Sequence, residues 1–146
     1  MAFARSHTRL TRPLVALATG LALMFTLVLT AVSPAQARPG DPAYGRLSHG
    51  DGHLRGGCHN YYFHYRLKQA GNEWTFEVFW IDRTGRRVAD MILLSESEPK
   101  RGRNHVRFCR ANTVPGKVRL EGRLIIYSGS ESSKHWVKPA RFRMSG

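Results

Sequence analysis

Acidic residues are scarce in this chain: ten Asp and Glu stand against 23 Lys and Arg, a formal charge of +13. Such a field favours anionic partners, although arginine also serves solubility alone. Cysteine is scarcer still. With only Cys58 and Cys109 present, a single bridge is the most the chain can form, and a bridge explains the pair better than a nucleophile does. Helical periodicity is missing throughout, as are internal repeats. There is one long apolar run, Leu14 to Val32, and no second, so the chain that remains after it is not expected to span a membrane. Neither a Gly-x-Ser-x-Gly elbow, a phosphate-cradling glycine loop nor a His-Glu-x-x-His pattern occurs. No enzyme and no cofactor is therefore expected.

What is present begins with export. Arg5, Arg9 and Arg12 lead into the apolar run, and Ser33-Pro34-Ala35-Gln36-Ala37 closes it with a small-x-small cleavage pattern. Residues 1–37 read as a secretory signal peptide, and the absence of a nearby cysteine argues against a lipidated N-terminus. Cleavage after Ala37 leaves 109 of the 146 residues, with 20 Lys and Arg against ten acids, a net +10. That is the size of one domain. The expected location is extracellular, with the envelope as a place of association. In an oxidising compartment a Cys58–Cys109 bridge is the default.

Residues 38–56 are rich in Gly and Pro and read as a leading arm with one short edge strand near His53-Leu54-Arg55. From residue 57 alternation sets in. Tyr61, Phe63, Tyr65 and Leu67 share one face against Tyr62, His64 and Arg66. Trp74, Phe76, Val78 and Trp80 do the same, with Phe79 and Ile81 covered as well. Asp82-Arg83-Thr84-Gly85 is a turn, and a strand follows from Arg86 to Leu94. Ser95 to Asn104 reads as a surface loop, and Val106 and Phe108 as an inward pair ending at Cys109. The clearest alternation places Val118, Leu120, Gly122, Leu124 and Ile126 opposite Lys117, Arg119, Glu121, Arg123 and Ile125. Ser128 to Lys134 reads as a loop, and Pro139 marks a bend between Trp136-Val137 and the closing Phe142 and Met144. About seven strands in residues 57–146 predict an all-β, antiparallel β-sandwich whose two layers are stapled by the disulfide.

Gly56-Gly57-Cys58 before alternating aromatics, Trp74 to Trp80 ahead of a glycine turn, Phe108-Cys109, and Pro115-Gly116-Lys117-Val118-Arg119-Leu120-Glu121-Gly122 together resemble small secreted proteins of high-GC Gram-positive bacteria. The resemblance covers residues 52–127 and implies an immunoglobulin-like sandwich; most such proteins have no assigned activity. The antibody-type tyrosine corner is missing, because Arg107 stands two residues before Cys109.

Three functional readings follow. Lys117, Arg119, Arg123, Arg141 and Arg143 would form one basic face if their strands pair, suited to an anionic envelope or extracellular polymer. Lys100-Arg101-Gly102-Arg103 adds a basic loop. Alternatively, the loop from Ser95 to Asn104 would contact an extracellular protein, as in an inhibitor of a secreted hydrolase. A third reading places a metal on the His-rich arm, with His49, Asp51, His53 and His59 as weak ligand candidates. Nucleic acid is not the expected partner, because it calls for exposed aromatics interleaved with cations, and only Tyr62 and Tyr127 come near that.

Overall fold

The computed structural model describes residues 40–146; the signal peptide expected over residues 1–37 lies outside them. Nine strands follow in order: β1 (Asp41–Ser48), β2 (Gly52–His53), β3 (Cys58–Leu67), β4 (Glu73–Ile81), β5 (Arg87–Leu94), β6 (Arg101–Cys109), β7 (Gly116–Ser128), β8 (Glu131–Lys138) and β9 (Ala140–Ser145). Among the described residues a single 3-10 turn at Arg110–Asn112 is the one helical element, and no helix is long and apolar enough to cross a membrane.

The thirteen-residue β7 organises the sheet. On one side it pairs antiparallel with β4, from Glu73↔Tyr127 to Ile81↔Arg119, and β5 continues beyond β4. Its other edge is shared, with β9 covering Gly116 to Leu120 and β8 covering Arg123 to Ser128. Pro139 sits between β8 and β9, where a residue without an N–H is tolerated because the ladder is already broken. At that break β1 joins β8 in parallel, with a register shift between its two pairing points. β1 pairs in turn with β3, and β3 with β6. The order is β2-β9-β7-β8-β1-β3-β6, with β4 and β5 branching from β7.

Alternation decides what is buried. The inward residues of β3, β4, β6, β7 and β9 form one apolar cluster. Rings join its two sides: Tyr65 lies 6.0 Å from Phe76, Tyr61 lies 6.1 Å from Trp80, and Phe108 lies 5.1 Å from Trp80. Gly122 falls on the inward face of β7 because Phe76 fills the space a side chain would need. A Cβ there would stand 2.5 Å from the ring and 3.0 Å from Leu47.

Four sequence expectations are corrected. The bridge does form between Cys58 and Cys109, but it does not cross between layers. The β3–β6 ladder runs without a break from Arg66↔Arg101 to Cys58↔Cys109, so the cysteines are neighbours at the end of one antiparallel pair. The arm read over residues 38–56 contains an eight-residue strand, β1, held by partners on both edges rather than by its own alternation. The loop expected through Asn104 ends early, because β6 starts at Arg101. Gly102, which reads as loop punctuation, is instead a close approach: a Cβ there would meet the Tyr65 ring at 3.3 Å. The loop expected from Ser128 to Lys134 shrinks to a tight hairpin between β7 and β8, with Gly129 at φ +60°.

Candidate anion-binding face

The β7–β9 register sets Lys117 beside Arg143 and Arg119 beside Arg141. All four point away from the core, since Val118, Leu120, Phe142 and Met144 point into it. The pairing that the basic-face reading requires therefore exists for these four residues. Arg123 is separated from them, lying opposite Glu77 on β4 and Trp136 on β8.

Two of the five cations are engaged. Arg119 Nε donates to Glu121 Oε1 at 2.6 Å, with the carboxylate almost buried. Arg123 Nε donates to Glu77 Oε2, and that bond holds the guanidinium in its charged form, raising its pKa against the opposing effect of burial. Lys117, Arg141 and Arg143 have no carboxylate within ion-pair distance among the described residues. They line an open groove of about 630 Å³ together with Arg83 and Arg119, and Asp51 and Asp82 line it too.

Asp82 shapes that turn. Its Oδ1 accepts from Thr84 N at 2.9 Å, Thr84 Oγ1 at 2.6 Å and Arg86 N at 3.2 Å, and its Oδ2 accepts from Val114 N at 3.4 Å. Burial pushes its pKa up, but the bonds from Thr84, Val114 and Arg86 outweigh burial and leave it lowered. Asp82 is thus a structural carboxylate. Asp90 stands in mid-strand opposite Phe79. Asp51 accepts from the Arg143 backbone N–H at 2.7 Å and ties the approach to β2 onto β9.

A second groove of about 400 Å³ adjoins the first on the same outward face. There Arg87 lies 4.3 Å from the Phe79 ring centroid, and Arg123 lies 5.9 Å from Phe79 and 5.8 Å from Trp136. The two guanidinium groups and the Trp136 ring surround Phe79, which explains its burial on an outer face.

The His-rich arm is dispersed into separate contacts. His49 stacks on Phe142 at 4.0 Å and meets Trp80 edge-on at 5.1 Å, and burial lowers its pKa despite the Gly50 carbonyl and Asp51. His53 Nδ1 pairs with Ser145 Oγ at 3.0 Å, and His59 Nε2 with the Gly56 carbonyl at 2.7 Å. Among the described residues no three His, Cys, Asp or Glu converge as a metal set.

Strand pairing also creates a basic surface that linear reading missed. Arg46, Arg66 and Arg101 fall in one cross-strand row on β1, β3 and β6, and Lys138 extends it on β8. Nothing in local sequence marks this row, since its members come from four distant segments.

Neither a family profile nor a curated protein sequence matches the chain. Among solved structures, it is similar to dimeric latent PorU from Porphyromonas gingivalis, with 13% identity and a TM-score of 0.37. That alignment covers 64% of this chain and 9% of the PorU chain.

Proposed function

We propose that the domain is a secreted, non-enzymatic binding module, an immunoglobulin-like sandwich behind a signal peptide. It holds an anionic polymer of the cell envelope or extracellular space in the groove of Lys117, Arg141 and Arg143. The observation that carries this reading is the β7–β9 register, which gathers three cations without side-chain ion pairs around one groove. The carboxylates of that groove, Asp51 and Asp82, are engaged by backbone N–H groups. Arginine's planar fork suits the phosphate or carboxylate groups of such a polymer. The non-enzymatic part draws support from the carboxylates: Asp82 holds a turn, while Glu77 and Glu121 each hold an arginine. Both thiols are consumed in the disulfide, a bond that suits an exported protein.

The test is retention on isolated cell wall or heparin at low salt. Wild-type protein should bind and elute steeply as salt rises, and the Lys117→Glu/Arg141→Glu variant should flow through. Equal retention of the variant would remove the groove from the account.

A second reading, a protein-binding module, is favoured by one observation. Ile92 and Leu94 are 58% and 45% exposed on β5, next to the turn that begins at Ser95. Capture of a secreted protein that survives high salt and is lost in Ile92→Asp would support it over the first.

A further inference from the structure

We infer that the outward face of β1, β3 and β6 is a binding site for single-stranded nucleic acid. This face is separate from the groove on β7 and β9, and the inference does not depend on that groove.

The row Lys138, Arg46, Arg66 and Arg101 places like charges directly opposite one another on adjacent strands, an arrangement that opposes folding. None of the four has a carboxylate within ion-pair distance among the described residues. The outward positions of β3 and β6 contain no acidic residue at all. Repulsion of this kind is relieved by a polyanion that spans the row, and the field speeds its arrival. The cations also continue along β6 from Arg101 to Arg103. Alternate residues of a strand stand about 6.8 Å apart, a spacing at which this pair can meet successive phosphates of an extended strand.

Charge alone does not separate nucleic acid from an acidic polysaccharide; Tyr62 does. It is 46% exposed and lies across from His105, whose ring is 5.3 Å away. The Arg103 guanidinium sits 4.0 Å from the Tyr62 ring centroid. Along the chain Tyr62 and Arg103 are far apart, and the ladder brings their strands together. A π ring capped by a planar cation, set among phosphate-binding arginines, is a platform for an unpaired base. Beside it Arg46, Arg66, Arg101 and Arg103 line a trough of about 470 Å³, floored by Gly102 and Tyr65. A duplex keeps its bases stacked away from such a flat platform, so the preference is for single strands.

The experiment is fluorescence anisotropy of a short labelled oligothymidylate with the purified, disulfide-bonded protein over a range of salt. Five cations, Arg46, Arg66, Arg101, Arg103 and Lys138, predict a log–log salt slope of about −3.5. Arg66→Ala/Arg101→Ala should reduce it to about −2. Tyr62→Ala should weaken binding roughly tenfold with the slope unchanged. In a Lys117→Glu/Arg141→Glu background, which disables the groove on β7 and β9, oligonucleotide binding should persist and should still be weakened by Tyr62→Ala. All these positions are exposed, and a thermal midpoint no lower than that of wild type verifies each fold. Absence of oligonucleotide binding overturns the inference. So does wild-type affinity in Arg66→Ala/Arg101→Ala, or dextran sulfate competing equally at matched charge while Tyr62→Ala has no effect, which would assign the face to acidic polysaccharide.

Discussion

Arg119 and Glu121 stand two residues apart on the outward face of β7, and the Arg119 Nε–H reaches the Glu121 carboxylate at 2.6 Å. The arginine at the centre of the basic stripe therefore answers a carboxylate of its own strand, one with a side chain only 8% exposed. Removing it leaves that charge partly buried and unpaired. Arg119→Ala is expected to lower stability by about 1 to 3 kcal/mol, whereas Arg141→Ala should stay within about 0.5 kcal/mol of wild type. Urea denaturation of both variants measures the difference; equal midpoints would show that the pair contributes nothing.

Cys58 and Cys109 close a loop of 51 residues in sequence separation. In the chain-entropy description such a closure stabilises the fold by roughly 4 kcal/mol, a large part of the 5 to 15 kcal/mol typical of a domain. Cys58→Ala/Cys109→Ala should therefore unfold at a much lower guanidinium concentration. A midpoint unchanged from wild type would mean that the β3–β6 ladder needs no covalent support.

Gly122 is expected to resist even a methyl group. Phe76, fully buried, blocks the position from one side and Leu47 from the other, so Gly122→Ala should cost about 1 to 3 kcal/mol through overpacking. The same change at Gly50, where nothing lies within 4 Å, serves as the control and should be nearly neutral.

Asp82 predicts a pH dependence. Its folded pKa lies below the ordinary value of 3.8. The stability it contributes is thus fully present above that value and is lost as pH falls through the folded pKa. Asp82→Asn should be less stable than wild type at neutral pH, and the gap should narrow below about pH 4. Thermal melts from pH 7 to pH 2.5 follow this, and a gap that holds constant across the range would contradict it.

These properties were unevenly legible in the sequence. β3, β4 and β7 announce themselves because each has one fully apolar face, and the side chains expected inward, such as Phe63, Phe76 and Leu120, are fully buried. β1 does not, because Leu47 is its only large buried apolar residue and its place is set by neighbours distant in sequence. Gly102 misled for a related reason: a glycine needed for contact with Tyr65 looks the same in sequence as one needed for a turn. Of the five cations read as one face, register unites Lys117, Arg119, Arg141 and Arg143. It gives Arg123 to Glu77. The row of Arg46, Arg66 and Arg101 was illegible because register, which links it, is a property of the folded sheet.

The most direct test of the anion-binding account is a ¹H–¹⁵N titration of the purified protein with short-chain polyphosphate, a probe that carries the anionic groups and little else. The account predicts saturable shifts at the amides of Lys117, Arg141 and Arg143 that vanish at high salt. A titration in which those three amides stay fixed would contradict it, whether or not other residues respond.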